Sequence, residues 1–241
     1  MKLLSFLLIP CALFANSERV IFHHIPKTGG TTVNSILNNH FTKEETFPKH
    51  FQFRLKKRPL LKPGQYKLIS GHFLFSTFKN LPGKRITFLR EPVERVLSTQ
   101  RFYEDFHKKS PLMNRQHIFP VGDPIKMLRN HQCKYFSSLN TYDPNISDEE
   151  HLESAKHNLE HNFFFVGITE DLDRGVPLLC SLLGFTPPNK VPRYNTTQKR
   201  EDGYPETLIN EIRERNWADV ELYNFVKKLY EEKYINKTNG P

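Results

Sequence analysis

The sequence has few of the residues and patterns that mark several large protein classes. Its 241 residues include three cysteines, three methionines and one tryptophan, which is too little cysteine for a disulfide-rich secreted scaffold. It has no H-E-x-x-H motif, no Cys/His cluster at zinc spacing and no EF-hand pattern, so we expect no metal centre. Repeats and long low-complexity tracts are missing too. These absences favour an ordinary globular domain.

Acidic residues are also in deficit. There are 35 Lys and Arg residues against 26 Asp and Glu, which gives a formal net charge of +9 with neutral histidines. A basic balance is informative about partners rather than about fold, and it suits an anionic ligand. Nucleic acid is not expected, because the sequence has no zinc-finger, RNA-recognition or basic-zipper signature and its charge is spread along the chain.

The most informative segment is 20–37, VIFHHIPKTGGTTVNSIL. An apolar start predicts a strand, and the turn at Gly29 and Gly30 leads into a helix-compatible stretch. Glycines let the backbone approach a phosphate closely, and the first N–H groups and the dipole of a helix attract one. Lys27 adds a positive charge, and three hydroxyl groups add donors: Thr28, Thr31 and Thr32.

The order of residues in this loop separates it from two common nucleotide motifs. A Walker loop reads G-x-x-x-x-G-K-[ST], with the lysine after the last glycine, whereas Lys27 precedes both glycines. The dinucleotide fingerprint G-x-G-x-x-G is absent as well. The alternative is an ordinary strand–turn–helix with a surface lysine, and the hydroxyls around Lys27 favour the phosphate site over it.

A second segment, 84–101, has the same strand–turn–helix pattern. Arg90 ends the apolar strand, and Pro92 fits the first turn of a helix. Arg90 can bind a phosphate through two hydrogen bonds and Ser98 can donate its hydroxyl, provided that the strand end and the second helical turn converge. Two further arginines of this helix are expected to be surface charges, Arg95 and Arg101.

A third segment, 66–75, places a histidine after a buried strand. Gly71 ends the strand and His72 follows it. Ligands bind at the carboxyl ends of strands in open α/β sheets, and a histidine near neutral pKa can take a proton from a hydroxyl. His72 is therefore a candidate general base. His23 and His24, at the end of the first strand, are rivals, and we expect one of them to have a packing or supporting role.

The motif HIPKTGGTT at 24–32, followed by Arg90 and Ser98 in order, resembles sulfotransferases that use 3′-phosphoadenosine 5′-phosphosulfate (PAPS). The likeness is to the heparan sulfate 2-O- and 6-O-sulfotransferases and to bacterial sulfotransferase family 2 proteins, and it covers roughly residues 19–200. It implies PAPS as co-substrate, no metal, and transfer of a sulfuryl group to a carbohydrate hydroxyl. A glycan, in some cases an anionic one, would be the acceptor.

The resemblance implies a role for each candidate residue. Lys27 would contact the transferring group and His72 would deprotonate the acceptor. The 5′-phosphosulfate would lie in the loop formed by Thr28, Gly29, Gly30, Thr31 and Thr32. Arg90 and Ser98 would bind the 3′-phosphate. In the basic loop 191–200, the residues that would close over the nucleotide are Arg193, Asn195 and Thr196, although a solvent loop or a glycosylation sequon at Asn195 is an equal alternative.

Apolar strands alternating with amphipathic helices predict an α/β fold: a three-layer, P-loop-like domain with a mostly parallel central sheet flanked by helices. The segment FVGITEDLDRGVPLLCSLLGF at 165–185 resembles scaffold of the same family. Ser147 and Glu150 form a capping-box pattern at the start of a helix that runs to His161. A C-terminal helical region is expected over 205–234.

The first fifteen residues, MKLLSFLLIPCALFA, are typical of a signal peptide. We therefore expect a signal peptide at 1–15, one sulfotransferase domain at 16–235 and a frayed tail at 236–241. The segment places the protein in the secretory pathway, in a Golgi-like lumen or exported to a periplasm, with at most weak membrane association through the N-terminus. After cleavage two cysteines remain, Cys133 and Cys180, either joined in one disulfide or buried separately. The oligomeric state is not predicted.

Two other function classes stay open. A nucleotide-dependent phosphotransferase would need a carboxylate that holds Mg²⁺ after a second strand, and Glu91 is the nearest candidate. A non-catalytic anion- or glycan-binding domain of the same fold would retain the pocket without turnover.

Overall fold

The computed structural model describes residues 19–47, 65–109, 129–194 and 203–236, with the main chain only at 106–109. The centre of these residues is a sheet of four parallel strands in the order β2-β1-β3-β4. The strands are β1 (Val20–His23), β2 (Leu68–Gly71), β3 (Lys84–Leu89) and β4 (Phe165–Ile168). Apart from Lys84, every strand residue is buried, as expected for a parallel sheet covered on both faces.

Helices connect and flank the strands, which confirms the predicted three-layer α/β architecture. They are α1 (Gly30–Leu37), α2 (Phe75–Phe78), α3 (Pro92–Lys109), α4 (His131–Phe136), α5 (Asp148–His161), α6 (Leu172–Leu183), α7 (Glu206–Arg215) and α8 (Trp217–Tyr230). Short 3₁₀ turns follow α1 at Asn38–His40 and precede α6 at Thr169–Asp171, and a π-helical turn at Glu231–Ile235 follows α8.

The main apolar core draws on all four strands and runs from Val20 to Tyr234. Helix α8 packs on α5 and β4, and Trp217 at its start packs against this core. Helix α8 therefore completes the main core, whereas Ile212 of α7 packs with residues of α3 in a smaller cluster.

Strand order determines where a ligand can bind. From the central strand β1 the chain continues to β2 on one side, and later to β3 on the other. Such a reversal leaves a crevice outside the carboxyl ends of the strands. His24, His72, Arg90 and Thr169 each follow directly after one of the four strands. The fold thus brings the residues that follow all four strands to the carboxyl edge of the sheet.

Several local predictions are confirmed. The Ser147 hydroxyl accepts from the Glu150 main-chain N–H at 3.2 Å, and the Glu150 carboxylate accepts from the Ser147 N–H at 2.8 Å, so α5 begins at a capping box. Cys133 and Cys180 are both free and buried, which rules out the disulfide alternative.

No helix in the described ranges is long and apolar enough to cross a membrane. The predicted signal peptide and residues 237–241 lie outside the described residues.

Candidate active site

A pocket of about 490 Å³ opens at the carboxyl ends of the strands, a size typical of small-molecule and cofactor sites. It brings together the glycine loop after β1, the residues after β2 and β3, and one face of α3. The predicted site residues that line it are Lys27, Gly29, Gly30, Thr31, Thr32, His72, Arg90, Ser98 and Arg193. Two segments that are distant in sequence therefore share one cavity, as the proposed nucleotide site requires.

The glycine loop has an unusual backbone. Lys27 and Gly29 both adopt left-handed conformations, with φ of 72° and 74°. This conformation costs Gly29 little but is strained for a lysine. Gly29 is the N-cap of α1, and no described side chain caps this helix. The positive end of the α1 dipole is therefore available to an anion in the pocket.

The loop threonines divide between two tasks. Thr28 is fully buried, and its hydroxyl donates to the Ile25 carbonyl at 3.0 Å. Its side chain therefore shapes the loop and does not line the pocket, contrary to the expected contact with ligand. Thr31 and Thr32 do line the pocket. The Thr32 hydroxyl also donates to the Pro192 carbonyl at 3.1 Å, which ties the 191–194 segment to α1.

Gly30 leaves room for a neighbouring imidazole. A Cβ atom at this position would lie 1.9 Å from the His24 ring, a distance at which no side chain fits. The His24 ring in turn lies 4.4 Å, centroid to centroid, from the His72 ring. The glycine loop and the candidate base are therefore in contact through His24.

Lys27 lies in a strongly electropositive part of the pocket. Its ammonium group sits 4.5 Å from the centroid of the Phe102 ring. Burial, and then the neighbouring Arg90 and Arg101, lower the pKa of Lys27. One carboxylate, that of Glu94, approaches Arg90 at 3.4 Å and Arg101 at 3.8 Å. Lys27, Arg90 and Arg101 together favour an anionic ligand, although Asp105, Glu170 and Glu91 add negative charge nearby.

Arg90 and Ser98 converge as their predicted role requires. Ser98 is buried and lines the pocket together with Arg90. The Arg90 guanidinium donates to the Lys27 carbonyl at 3.2 Å. Burial lowers the pKa of Arg90 despite the nearby Glu170 and Glu94.

The predictions for Arg95 and Arg101 as surface charges are wrong. Arg101 is only 8% exposed and lines the pocket, and its Nε has no hydrogen-bond partner within the described ranges. Arg101 lies one helical turn after Ser98, so both face the same ligand space. Arg95 is fully buried, 3.7 Å from the carboxylate of Asp219 in α8. No local pattern identifies so distant a partner.

His72 is held in one tautomer. Its Nδ1 lies 2.7 Å from the His24 carbonyl oxygen, which can only accept, so Nδ1 carries the hydrogen and Nε2 of the neutral ring carries the lone pair. The Tyr135 hydroxyl donates to the same carbonyl at 3.0 Å. Burial lowers the pKa of His72, and the bond to the carbonyl opposes this. At neutral pH the ring is a neutral base.

The two rival histidines are less suited to act as bases. His23 is fully buried beside Phe75 and Phe163 and packs in the core. His24 lines the pocket but separates Gly30 from His72. Burial lowers the pKa of both rings to about 3, and the charges of His72 and Lys27 add to the effect at His24.

Other candidates have structural tasks or lie outside the described residues. Arg193 lines the pocket and pairs with Asp173, while Asn195 and Thr196 are not described. The Glu91 carboxylate accepts from the Glu94 main-chain N–H at 2.7 Å, so it caps the start of α3 instead of offering a magnesium ligand. Within the described ranges, no group of three or more His, Cys, Asp or Glu residues could hold a metal ion.

Sequence reasoning missed several residues of the site. Glu94 and Arg101 lie at positions i−4 and i+3 relative to Ser98 on α3. Helical spacing alone therefore predicts that they lie next to Ser98. Tyr135 and Gln132 come from α4, and nothing in the local sequence connects them with His24 or Arg90. Gln132 contacts the main chain of Arg90 twice.

Comparisons with known proteins identify the family of this chain. A family model described as "Sulfotransferase family" matches residues 11–231. Heparan-sulfate 6-O-sulfotransferase 2 of Homo sapiens is 26% identical over 280 residues, which cover 90% of this chain and 45% of that protein. A heparan sulfate 2-O-sulfotransferase of Caenorhabditis elegans is 23% identical over 265 residues, covering 93% of this chain and 82% of that protein.

A crystal structure of the mouse sulfotransferase SULT7A1 complexed with PAP has a TM-score of 0.44 and 13% identity, and the match covers 91% of this chain and 85% of the mouse chain. The present chain spans about half the length of the human relative. The family model, in contrast, extends over nearly the whole chain, and this protein therefore belongs to the sulfotransferase family.

Proposed function

We propose that this protein transfers a sulfuryl group from PAPS to a hydroxyl of a carbohydrate. One observation carries the proposal: Lys27, Arg90, Ser98 and His72 line the same pocket. That arrangement supplies two separate anion sites and a base, which are the parts that transfer from a doubly phosphorylated donor needs. Family membership supports the reaction class.

The proposed donor would be bound at both of its charged ends. The 5′-phosphosulfate would lie at the glycine loop, where Lys27 and the uncapped start of α1 attract negative charge. The 3′-phosphate would accept hydrogen bonds from Arg90 and Ser98. The buried Arg101 Nε, which has no hydrogen-bond partner among the described residues, offers another donor to an anion.

The proposed reaction uses in-line displacement at sulfur. The acceptor oxygen forms a bond to sulfur while the bond between sulfur and the 5′-phosphate oxygen breaks, and His72 Nε2 takes the proton of the hydroxyl. Lys27 and the α1 N-terminus stabilise the negative charge that develops on the leaving phosphate. The protein contributes position and charge, and the scheme routes no step through a metal.

The acceptor is proposed to be a glycan. The relatives with 23–26% identity are named as heparan sulfate sulfotransferases, and the net charge of +9 suits an anionic polysaccharide. We also propose that the protein works in the secretory pathway, in a Golgi-like lumen or a periplasm, with residues 1–15 as its signal peptide. Expression with and without these residues, followed by fractionation, tests that proposal.

The decisive experiment compares His72→Ala with a matched control, His157→Ala. His157 is exposed on α5 and remote from the pocket lining. Binding of 3′-phosphoadenosine 5′-phosphate (PAP) is measured by thermal shift, and transfer of radiolabel from PAPS to heparan sulfate gives the turnover. We expect His72→Ala to lower turnover about 10²- to 10⁴-fold with unchanged PAP affinity, and His157→Ala to alter neither.

Three results would overturn parts of the proposal. Stabilisation of the wild-type protein by ATP with magnesium but not by PAP would reject PAPS as the donor. PAP binding without transfer to any glycan would favour the non-catalytic alternative. Wild-type turnover in His72→Ala would reject His72 as the base.

A further inference from the structure

The Gln132 side chain makes two hydrogen bonds to the main chain of Arg90, one as donor and one as acceptor. Its side-chain Nε2 donates to the Arg90 carbonyl at 2.9 Å, and its Oε1 accepts from the Arg90 N–H at 3.1 Å. Gln132 is fully buried at the first turn of α4. The two bonds act on the residue directly after β3, and they fix the peptide groups on both sides of the Arg90 Cα.

Gln132 is itself held by a buried carboxylate. Asp219 of α8 accepts from the main-chain N–H groups of Gln132 at 3.0 Å and Cys133 at 2.8 Å. Its side chain and that of Arg95 are both 0% exposed, 3.7 Å apart. Burial raises the pKa of Asp219, while Arg95 and the two N–H groups oppose the rise.

The two helices cap each other. Asn130, just before α4, accepts through Oδ1 from the N–H groups of Ala218 and Asp219 at 3.1 and 3.3 Å. In turn, the Asp219 carboxylate accepts hydrogen bonds from two N–H groups in the first turn of α4. Each helix start therefore supplies the N-terminal cap of the other, so the position of Gln132 is determined by α8.

Among the described residues, the Arg90 guanidinium makes two hydrogen bonds, both long: 3.2 Å to the Lys27 carbonyl and 3.4 Å to the Glu94 carboxylate. Hydrogen bonds to charged groups are normally shorter than this. The Gln132 hydrogen bonds fix the main chain from which this side chain starts, and so limit the part of the pocket that the guanidinium can reach.

We infer that Gln132 is a positioning residue that holds Arg90 in the geometry for binding a 3′-phosphate, so that it determines the preference of the pocket for 3′-phosphorylated nucleotides. The inference rests on the proposed function, since it assumes that the ligand carries this phosphate. Gln132 acts through Arg90 and does not line the pocket.

The test measures the dissociation constants of PAP and of 5′-AMP by calorimetry for wild type, Gln132→Leu and the matched control Asn158→Leu. Asn158 is a buried amide whose Nδ2 donates to the Phe136 carbonyl at the other end of α4. We expect Gln132→Leu to weaken PAP binding about tenfold and to leave 5′-AMP binding unchanged, so that the ratio of the 5′-AMP constant to the PAP constant falls. Asn158→Leu should destabilise the fold without moving that ratio.

A double-mutant comparison separates positioning from general damage. In an Arg90→Ala background, Gln132→Leu should have no further effect on the ratio, because its route to the ligand is gone. If Gln132→Leu does not fold, Gln132→Asn serves instead, since it is one methylene too short to reach both Arg90 groups. It should lower the ratio in the same direction by a smaller factor.

The outcomes distinguish this inference from the proposed function. A wild-type protein that binds PAP no better than 5′-AMP overturns the donor assignment itself. A wild type that prefers PAP, together with Gln132 variants that keep the full preference, overturns only the role of Gln132. An equal fall in the ratio for Asn158→Leu would show that the effect is general loss of structure.

Discussion

The Lys27 end of the pocket and the Arg90 end hold their cations by different means. The Lys27 end is local: residues 24–32 supply the lysine, the glycines and the helix start, and His24 fills the space beside Gly30. The Arg90 end is assembled over long range, with Gln132 from α4 holding Arg90 and Asp219 from α8 holding Gln132. The Lys27 end therefore depends on backbone conformation, and the Arg90 end depends on buried side chains.

This difference indicates which substitutions should disrupt each end of the pocket. A change in the glycine loop should disturb the chemistry near His72 while most of the core stays intact. A change in the Asp219 network should lower the stability of the whole domain, because that network connects α3, α4 and α8. Three measurements test this difference between the two ends.

The largest expected effect is that of Asp219→Ala. The substitution removes a fully buried carboxylate from Arg95 and from two N–H groups of α4. Loss of one partner of a buried pair costs about 3–5 kcal/mol in free energy of unfolding, which urea denaturation would measure. Glu211→Ala, which breaks the exposed pair with Arg215, should cost at most about 1 kcal/mol. Equal losses for the two variants would contradict the long-range account.

Gly30→Ala should have a smaller effect on stability and a selective one on turnover. The new methyl group must displace the His24 ring, which lies between Gly30 and His72. We expect about 1–3 kcal/mol of destabilisation from overpacking and a fall in kcat in the radiolabel assay. Gly184→Ala is the control: its φ of 76° makes alanine unfavourable, but no atom lies within 4 Å of the new Cβ. If Gly184→Ala lowered kcat as much, the contact through His24 would not be responsible.

The smallest expected change is in the pH dependence of turnover. Because burial lowers the pKa of His72, the base stays neutral under mildly acidic conditions, and the acid limb of kcat/KM should have its midpoint below about pH 6.5. A midpoint above that value would contradict the buried environment of His72.

Stability must be followed at the same pH values. Burial lowers the pKa of His23, His24 and His131 to about 3. Since these rings take up protons near pH 6.5 in the unfolded chain and not in the folded one, their contribution to stability is complete above that pH. It falls towards pH 3 by about 1.4 kcal/mol per unit for each ring. The thermal unfolding temperature at each pH separates this loss from titration of His72.

The local end of the pocket could be predicted from the sequence because its residues are neighbours in the chain. Lys27, the glycine turn and the strand before it fall within one segment, and spacing alone indicates an anion site. His72 could be placed by the rule that ligands lie at strand ends. The parallel sheet followed from the alternation of apolar strands and helices.

The remote end could not be predicted in the same way. The burial of Arg95 depends on Asp219, and the placement of Arg90 depends on Gln132, and neither partner has a local pattern that indicates it. The Thr28 hydroxyl bonds to the Ile25 carbonyl in a loop where Lys27 and Gly29 have left-handed backbone conformations. The sequence suggests that conformation only for the glycine. Residues 195–196 lie outside the described ranges, and their role over the nucleotide stays a prediction.

The Arg90 guanidinium donates to the Lys27 carbonyl, so the side chain proposed for the 3′-phosphate contacts the main chain of the loop proposed for the 5′-phosphosulfate. We expect binding at one end to affect the other, so the contributions of the two phosphates to affinity should not be additive. Fragments that carry a single phosphate would accordingly misjudge the strength with which the intact donor is bound.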